Sequence, residues 1–312
     1  MTFKGWTDVK ENAGVVGTEV LSNVLVNIAD YKADRNYYFY AVFTQESVYA
    51  NATDNKYFTF GYNYSYSDPV DPTHNITGST ITISQNYRTG DLRGKITIPS
   101  VDDQGNKIIF IDGFNSDAAK EITHLFFMPD NNILEFGQQA FEGNNYDSKL
   151  QYIDFRNLTK LRAIQRYAFR YLDNLQMSEI PAPVAFVGAE AFNGSFEALP
   201  GMKEFYISGS VEKMAIGAFS NCDVGIETLY VGKPGDPTKL NISDWSPSQG
   251  PFFRQNQYFR PKTVYIYCDA DRIDAFNAAM ANYAEGQSIF QVSWEGDEGL
   301  GQYFVKNAND FS

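Results

Sequence analysis

The sequence of 312 residues has few cysteines, few histidines and a shortage of basic charge, and each shortage excludes a class of protein. Two cysteines, Cys222 and Cys268, cannot build a disulfide framework, and two histidines, His74 and His124, cannot build a histidine-rich metal site. The formal net charge of −13 opposes broad contact with phosphate backbones or anionic lipid. Nucleic acid is therefore not an expected partner.

Long apolar runs are also missing. No stretch approaches about 18 consecutive apolar residues, so we expect no membrane insertion by this chain. The start at Met1 lacks the basic and apolar segments of a secretory signal, and the end carries no hydrophobic anchor or lipidation signal. If the natural protein is exported, we expect its signal to lie outside this chain.

Aromatic residues are abundant, and many of them belong to a repeat. The repeated pattern is an apolar residue, then three residues of any kind, then Ala-Phe, and it occurs four times. The phenylalanines of successive copies lie 28, 23 and 27 residues apart. A degenerate earlier copy and a later one extend the series, the later one after a Pro/Gly/Ser-rich loop at residues 232–250. The structural repeat positions are therefore Phe114, Phe141, Phe169, Phe192, Phe219 and Phe253.

Between the Ala-Phe units lies a second recurring element, an alternating apolar triplet that predicts a short strand. Each repeat thus offers one strand, a turn and a short segment ending in Ala-Phe. Such a unit cannot bury its apolar face alone, whereas stacked neighbours form a continuous core, so the pattern predicts a solenoid. The triplets are Leu125–Phe127, Ile153–Phe155, Phe205–Ile207, Leu229–Val231 and Val264–Ile266, with a weaker copy within Leu175–Pro181.

Several of these segments resemble the BspA-type leucine-rich repeat family of bacterial surface proteins. The resemblance is carried by the strand and Ile-Pro turn of Lys95–Pro99, by Val-Gly-Ala-Glu-Ala-Phe at 187–192 and by Ala-Phe-Ser-Asn-Cys at 218–222, and it covers about residues 91–292. In one copy, Gln165 replaces the glycine of the pattern. The resemblance implies a β-dominated leucine-rich-repeat solenoid with short helical turns, a cell-surface or secreted location, and adhesion without a cofactor.

The remaining segments predict four parts of the chain. Residues 1–45, with Phe3-Lys-Gly-Trp6, resemble the second half of a Listeria-Bacteroides repeat, as in internalin B-type proteins. Because the strand that normally precedes this motif is missing, we expect a truncated repeat and hence a fragment or truncated reading frame of a longer, multi-module protein. Residues 46–90 predict a β hairpin as an N-terminal cap, residues 91–292 the solenoid with its C-terminal cap, and residues 293–312 an acidic tail.

The C-terminal cap is predicted in detail. Asp271 could begin a helix that ends near Gly286, with apolar residues on one face at Ile273, Phe276, Met280 and Tyr283. A strand at 289–294 would complete the sheet edge, and the tail after it is expected to fray.

No constellation of residues predicts catalysis or metal binding. Asp269, Asp271 and Asp274 lack the glycine and distal glutamate of a calcium loop and are expected to cap a turn and helix, and the acidic segment 102–106 predicts a β turn. Neither histidine has a nucleophile motif beside it. Both cysteines are expected to pack in the core. A carboxylate pair for glycoside hydrolysis stays open, because its spacing is a three-dimensional quantity.

Surplus tyrosines give the one candidate binding face. Tyr206, Tyr230 and Tyr265 occupy the middle of successive strand triplets, so they should project from the same sheet face, and Asp154 holds the corresponding place in an earlier repeat. Such a stripe could bind an extracellular protein or a glycan, or could simply stabilise the parallel strands through cross-strand contacts. We predict a non-enzymatic adhesion or spacer module, with a glycan-binding surface module, a phage tail or fibre component and, last, an enzyme as alternatives.

Overall fold

The computed structural model describes the backbone of residues 2–7, 14–16, 40–44, 52–83, 92–115, 117–143, 148–196, 204–215, 217–219, 222, 227–242, 263–286 and 302–310, with side chains from residue 52 onward except in 282–286. The chain divides into two compact units, residues 1–51 and 52–312. In the first unit, β3 (Tyr40–Thr44) pairs antiparallel with β1 (Thr2–Thr7) and parallel with β2 (Gly14–Val16). The Listeria-Bacteroides resemblance of this unit stays a prediction.

The second unit opens with the predicted hairpin, which is confirmed. Strands β4 (Phe58–Ser67) and β5 (Asn75–Ile83) pair antiparallel. The buried Asp68 carboxylate stabilises the turn between them by accepting from the backbone amides of Val70 and Asp71. Strand β5 then pairs in parallel with the first repeat strand of a larger sheet, so the hairpin forms one end of that sheet.

Repeats follow, and their strands alternate between two sets of parallel sheets. β6, β8 and β10 form a three-stranded sheet; β12, β14, β16, β17 and β18 form a five-stranded sheet; β7, β9, β11, β13 and β15 continue from the hairpin into a seven-stranded sheet. In chain order the strands are β6 (Gly94–Ile98), β7 (Ile108–Ile111), β8 (Ile122–Phe127), β9 (Glu135–Phe136), β10 (Tyr152–Ile153), β11 (Ala163–Ile164), β12 (Glu179–Ile180), β13 (Phe186–Val187), β14 (Glu204–Ile207), β15 (Lys213–Met214), β16 (Thr228–Val231), β17 (Thr263–Cys268) and β18 (Gln302–Asn307).

The expectation of one strand per repeat is therefore wrong. The apolar residue that opens each Ala-Phe unit is the last residue of a second, two-residue strand, as at Phe136 and Ile164. A strand of two residues is too short for alternation to be visible, which is why sequence periodicity did not reveal it. Buried side chains of both sheet sets join one core.

The Ala-Phe phenylalanines form a stacked ladder through this core. Phe169 lies 5.3 Å from Phe141 and 5.3 Å from Phe192 between ring centroids, and Phe219 lies 5.1 Å from Phe192, all with nearly parallel rings. Phe114 continues the ladder in a tilted arrangement 5.6 Å from Phe141. Five of the six predicted repeat positions are thus confirmed as buried, and Phe253 lies outside the described residues.

A left-handed backbone residue precedes each Ala-Phe pair. Gln139, Tyr167, Glu190 and Gly217 have φ of 61°, 60°, 54° and 65°. This conformation turns the chain so that the following alanine is fully buried and the phenylalanine enters the ladder. The four residues at this repeat position, which are glutamine, tyrosine, glutamate and glycine, thus share one backbone conformation although their side chains differ.

Helical segments are short. Four 3-10 turns occur in the described part of the second unit, at Asn55–Tyr57, Asp117–Ala119, Phe155–Asn157 and Ala270–Arg272. The predicted C-terminal helix is confirmed as α1 (Ile273–Gly286), with Phe276 and Met280 fully buried. The Tyr283 side chain lies outside the described residues. No helix in the described ranges is both long and apolar enough to cross a membrane.

The C-terminal tail departs from expectation. Residues of β18 pair in parallel with β17 from Gln302 to Asn307, so this part of the tail is the edge strand of the five-stranded sheet and the expectation that it frays is wrong. Tyr303 and Val305 pack against the core, which supplies the burial that holds the strand. The strand predicted at 289–294 lies outside the described residues.

Candidate binding surface

The three tyrosines of the predicted face lie side by side on the five-stranded sheet. Tyr206 of β14, Tyr230 of β16 and Tyr265 of β17 are direct Cα partners across the parallel strands. Their ring centroids are 4.5 Å and 5.3 Å apart, with interplanar angles of 6° and 14°. The prediction that they share one face is confirmed, because the flanking residues of each strand alternate into the core.

A fourth ring extends this stack. Phe304 of β18 is the Cα partner of Tyr265, its ring centroid lies 5.3 Å away, and its side chain is 41% exposed. We name Tyr206, Tyr230, Tyr265 and Phe304 the aromatic row. Sequence analysis missed Phe304 because its strand was assigned to the tail, although Tyr303–Val305 shows the same alternating triplet as the other strands.

One carboxylate connects the two hydroxyls at the β14 end of the row. The Tyr206 hydroxyl donates to Oε2 of Glu204 at 3.1 Å, and the Tyr230 hydroxyl donates to Oε1 at 3.2 Å. Burial, reinforced by the charge of Glu204, raises the pKa of Tyr230 to about 12, and burial together with the same hydrogen-bonded carboxylate raises the pKa of Tyr206. Both hydroxyls therefore remain protonated at physiological pH.

The opposite end carries positive charge. The Lys306 ammonium lies 4.9 Å from the ring centroid of Tyr265 and 6.0 Å from that of Tyr267. Such distances permit a cation–π attraction. The sheet face is thus polarised, with an acidic end at β12 and β14 and a basic group on β18.

Ring orientation limits what the aromatic row can bind. Because successive rings stack with interplanar angles of 6° to 19°, the face of each inner ring is turned toward its neighbour. The surroundings meet ring edges and hydroxyl groups along the row, whereas open ring faces are confined to its ends. This arrangement suits contact with side chains of a protein better than stacking of several sugar rings.

Beyond β14 the row of aromatic residues gives way to carboxylates. Glu179 of β12 is the Cα partner of Tyr206 and is exposed. Asp154, at the corresponding place one repeat earlier, is buried, caps the 3-10 turn Phe155–Asn157, and accepts two hydrogen bonds from the Arg156 guanidinium at 2.8 Å and 2.6 Å. Asp154 therefore forms a structural ion pair with Arg156, and its carboxylate is not exposed on the sheet face.

Two adjoining hollows flank Glu179. One, of about 340 Å³, lies between β10 and β12, which belong to different sheets, and Asp154 and Arg156 contribute to its walls. The other, of about 360 Å³, is lined by Tyr206, Ser208 and Asp236, among others, and Glu179 belongs to both linings. These hollows adjoin the acidic end of the aromatic row.

Other candidate residues have structural roles. The Gly105 amide donates to the Asp102 carbonyl at 3.2 Å, which confirms the predicted β turn. The Asp102 carboxylate stabilises it by accepting from the amides of Gln104 and Asn106 and from the Ser79 hydroxyl. No group of three or more His, Cys, Asp or Glu in the described ranges could hold a metal ion, and the Asp269 side chain forms no capping hydrogen bond at the turn that it precedes.

Both cysteines are buried, as predicted. The Cys222 thiol donates to the Phe192 carbonyl at 2.8 Å, and the Ser195 hydroxyl donates to the Phe169 carbonyl one repeat earlier. These two side chains share one repeat position, three residues after the ladder phenylalanine. Cys222 is thus a core donor that links consecutive repeats.

His124 lies on the three-stranded sheet rather than beside a nucleophile. Its ring lies 6.3 Å from Phe126 and 5.8 Å from Tyr152 between centroids, and its Nδ1 is 2.8 Å from the Thr123 hydroxyl oxygen. Burial, and to a smaller extent the nearby Lys95, lowers its pKa, so it is neutral at physiological pH. The other histidine, His74, packs edge-on against Tyr66 at 6.2 Å.

A buried carboxylate on the seven-stranded sheet was not anticipated. Glu135 accepts from the Tyr64 hydroxyl at 3.2 Å, and burial raises its pKa. Burial also raises the pKa of Asp112. The Tyr64 ring lies 4.4 Å from the Phe110 ring, which holds the pair within the sheet surface. These contacts are those of a buried structural acid.

Comparison with known proteins identifies the repeats. Residues 114–225 match the family model described as the BspA type leucine rich repeat region, in six copies. Similar solved structures include a leucine-rich repeat protein of T. pallidum, with 19% identity, a TM-score of 0.40, and coverage of 58% of this chain and 71% of that one. A leucine-rich repeat protein of Bacteroides ovatus is 18% identical, with a TM-score of 0.36 and coverage of 72% and 51%. No curated protein matches.

Proposed function

We propose that this chain, whose residues 114–225 are BspA-type leucine-rich repeats, is a non-enzymatic binding module of a bacterial cell-surface protein. Its partner is an extracellular protein of a host or of a neighbouring cell, and the contact surface is the aromatic row. The observation that carries the proposal is the stack of four rings, partly exposed, on a sheet whose other face is core.

Physical chemistry favours a protein partner for such a row. Tyrosine is enriched at interfaces because it presents a large contact area and loses little rotamer entropy on binding. Here even that loss is reduced, since each ring is already held by its neighbours and two hydroxyls are held by Glu204. A pre-organised row of ring edges and hydroxyls can receive apolar and hydrogen-bonding side chains together.

The glycan-binding alternative is less well supported. It requires coplanar aromatic rings flanked by polar groups, and the inner rings of the aromatic row face one another instead. A purely structural role remains the main competitor, because stacked cross-strand rings also stabilise a sheet. The two roles can be distinguished by measurement. If the aromatic row binds a partner, a variant without the row loses binding while it still folds; if the row is only structural, the variant loses stability and no binding depends on the row.

The test is a binding screen against arrays of purified host extracellular-matrix proteins and of glycans. The variant Tyr206→Ala/Tyr230→Ala/Tyr265→Ala removes the aromatic row except Phe304. Tyr62→Ala is the matched control, because Tyr62 on β4 is also exposed, at 43%, and its hydroxyl also donates to a carboxylate, that of Asp103.

We expect a saturable protein signal that the triple variant loses and Tyr62→Ala retains, with both variants still folded by circular dichroism at the assay temperature. Equal loss in both variants, or a triple variant that binds normally, would contradict the proposal. A signal confined to the glycan array would favour the alternative.

A further inference from the structure

The acidic end of the aromatic row has an asymmetry between neighbouring repeats. Asp154 is paired with Arg156 two positions later. In the next repeat, Glu179 holds the corresponding place, and Pro181 stands where the arginine would be. Within the described part of the chain, the Glu179 side chain has no ion-pair or hydrogen-bond partner, and the residue is exposed. The repeat thus keeps the carboxylate and lacks its basic partner.

The space beside Glu179 is open and acidic. The hollow of about 360 Å³ is bounded by Glu179 and Asp236, against one basic residue, Lys233. Tyr206 also lines this hollow, and it is the Cα partner of Glu179 on the neighbouring strand. An aromatic residue next to a carboxylate suits a long basic side chain, whose apolar stem can pack on the ring while its charged end meets the carboxylate.

Glu204 adds acceptor capacity beside the same ring. Its two carboxylate oxygens accept one hydroxyl each, from Tyr206 and Tyr230. A carboxylate offers about four lone-pair positions, so the two hydroxyls leave room for further donors. Glu204 is exposed, as Glu179 is. Two accessible carboxylates therefore lie beside Tyr206: Glu204 on its own strand β14, and Glu179 on the neighbouring strand β12.

We propose that this end of the aromatic row is a specificity pocket for an arginine side chain of the partner protein, which supplies to Glu179 what Arg156 supplies to Asp154. The inference rests on the proposed function and deepens it by naming the recognised group. Arginine fits best because its planar fork can donate to a carboxylate in bidentate fashion and can lie against an aromatic ring. Lysine fits the charge and lacks the fork.

The test uses a peptide array of matched sequences that differ only in carrying arginine, lysine, citrulline or glutamate between tyrosine and serine residues. Citrulline keeps the shape of arginine without its charge. We expect the intact chain to bind arginine peptides about tenfold more tightly than citrulline peptides, and lysine peptides to lie between, since one charge-assisted contact is worth about that factor.

Three variants sharpen the result. Glu179→Gln should remove the preference for arginine over citrulline. Pro181→Arg should do the same by placing a basic side chain beside Glu179 within the chain, as Arg156 stands beside Asp154. Asp103→Asn, the control at the Tyr62 pair, should leave the preference unchanged. Thermal melting of each variant verifies that the fold is intact.

Equal retention of arginine and citrulline peptides by the intact chain, retention of neither, or an unchanged preference in Glu179→Gln would overturn the proposed pocket. Failure here is distinguishable from failure of the proposed function. If only the proposed arginine specificity is wrong, binding of the matrix protein still depends on the three tyrosines, whereas the affinity for the peptides does not depend on their charge. If the function is wrong, the triple tyrosine variant keeps that signal.

Discussion

Replacing Tyr230 by alanine should cost much less folding free energy than replacing Phe192, although each ring stacks between two others. Tyr230 has ring neighbours at 4.5 Å and 5.3 Å, and Phe192 has ladder neighbours at 5.3 Å and 5.1 Å and a further ring, Phe196, at 5.9 Å. The two rings differ in their surroundings: Phe192 is fully buried in the core, whereas Tyr230 stands on the outer face of its sheet. The pair separates stacking from burial.

The magnitudes follow from those surroundings. Removing a buried phenylalanine side chain leaves a cavity and costs about 3–5 kcal/mol. An exposed cross-strand contact contributes about 0.2–1 kcal/mol, so two contacts of Tyr230 amount to about 1 kcal/mol. The hydroxyl bond to Glu204 adds little at the surface, and Tyr230→Phe, which removes only that bond, should be nearly neutral.

Urea unfolding followed by far-UV circular dichroism measures these differences, with the intact chain as reference. A cost for Tyr230→Ala as large as that for Phe192→Ala would refute the reasoning, because the aromatic row would then be needed for folding and not available as a separate binding surface. A cost for Phe192→Ala below about 2 kcal/mol would instead contradict the buried ladder.

Three further outcomes are expected. In a spectrophotometric pH titration, Tyr230 should ionise near pH 12, and Glu204→Gln should lower the pKa of Tyr230. Because the pKa is raised in the folded state, the contribution of the Tyr230 hydroxyl to stability is complete below pH 10 and is lost as the pH rises through 12. An unchanged pKa in Glu204→Gln would contradict this account. The free energy of unfolding of Cys222→Ser should lie within about 1 kcal/mol of that of the intact chain, whereas Cys222→Val should lose about 1–3 kcal/mol because the Phe192 carbonyl loses its donor. Equal losses for the two variants in urea unfolding would contradict the role of Cys222 as a hydrogen-bond donor. Glu135→Gln should raise the urea midpoint at pH 7, because burial raises the pKa of Glu135 and ionisation of its carboxyl group opposes folding. The difference in midpoint between the variant and the intact chain should shrink below pH 4.5, the ordinary pKa of the group. A difference that does not change with pH would contradict ionisation as its cause.

Sequence reasoning reached the repeat units because local chemistry marks them directly. The Ala-Phe positions, the alternating triplets and the C-terminal helix each depend on residues a few positions apart. It did not predict the two-residue strands β9, β11, β13 and β15 of the seven-stranded sheet, which carry no detectable alternation. It also did not predict the edge strand β18, which is held by pairing with a strand about 40 residues earlier in the chain. Non-local pairing of that kind leaves little trace in a local pattern.

The candidate surface divides in the same way. Tyr206, Tyr230 and Tyr265 were predicted to share a face because alternation determines which side of a strand a residue occupies. Alternation says nothing about which strand lies next to which. Phe304 and the unpaired Glu179 emerged from the register of the five-stranded sheet and from the contrast with Asp154 and its arginine.

By itself, the sequence determined the repeat length, the buried residue of each turn and the outward direction of the tyrosines, because each is set by contacts between residues close in the chain. The tertiary structure alone decided that four rings stack about 5 Å apart, that one carboxylate receives two hydroxyls, and that a hollow opens beside Glu179. The physical reason is that ring stacking, hydrogen bonding and cavity shape depend on the register between repeats, which is set by packing of the whole core.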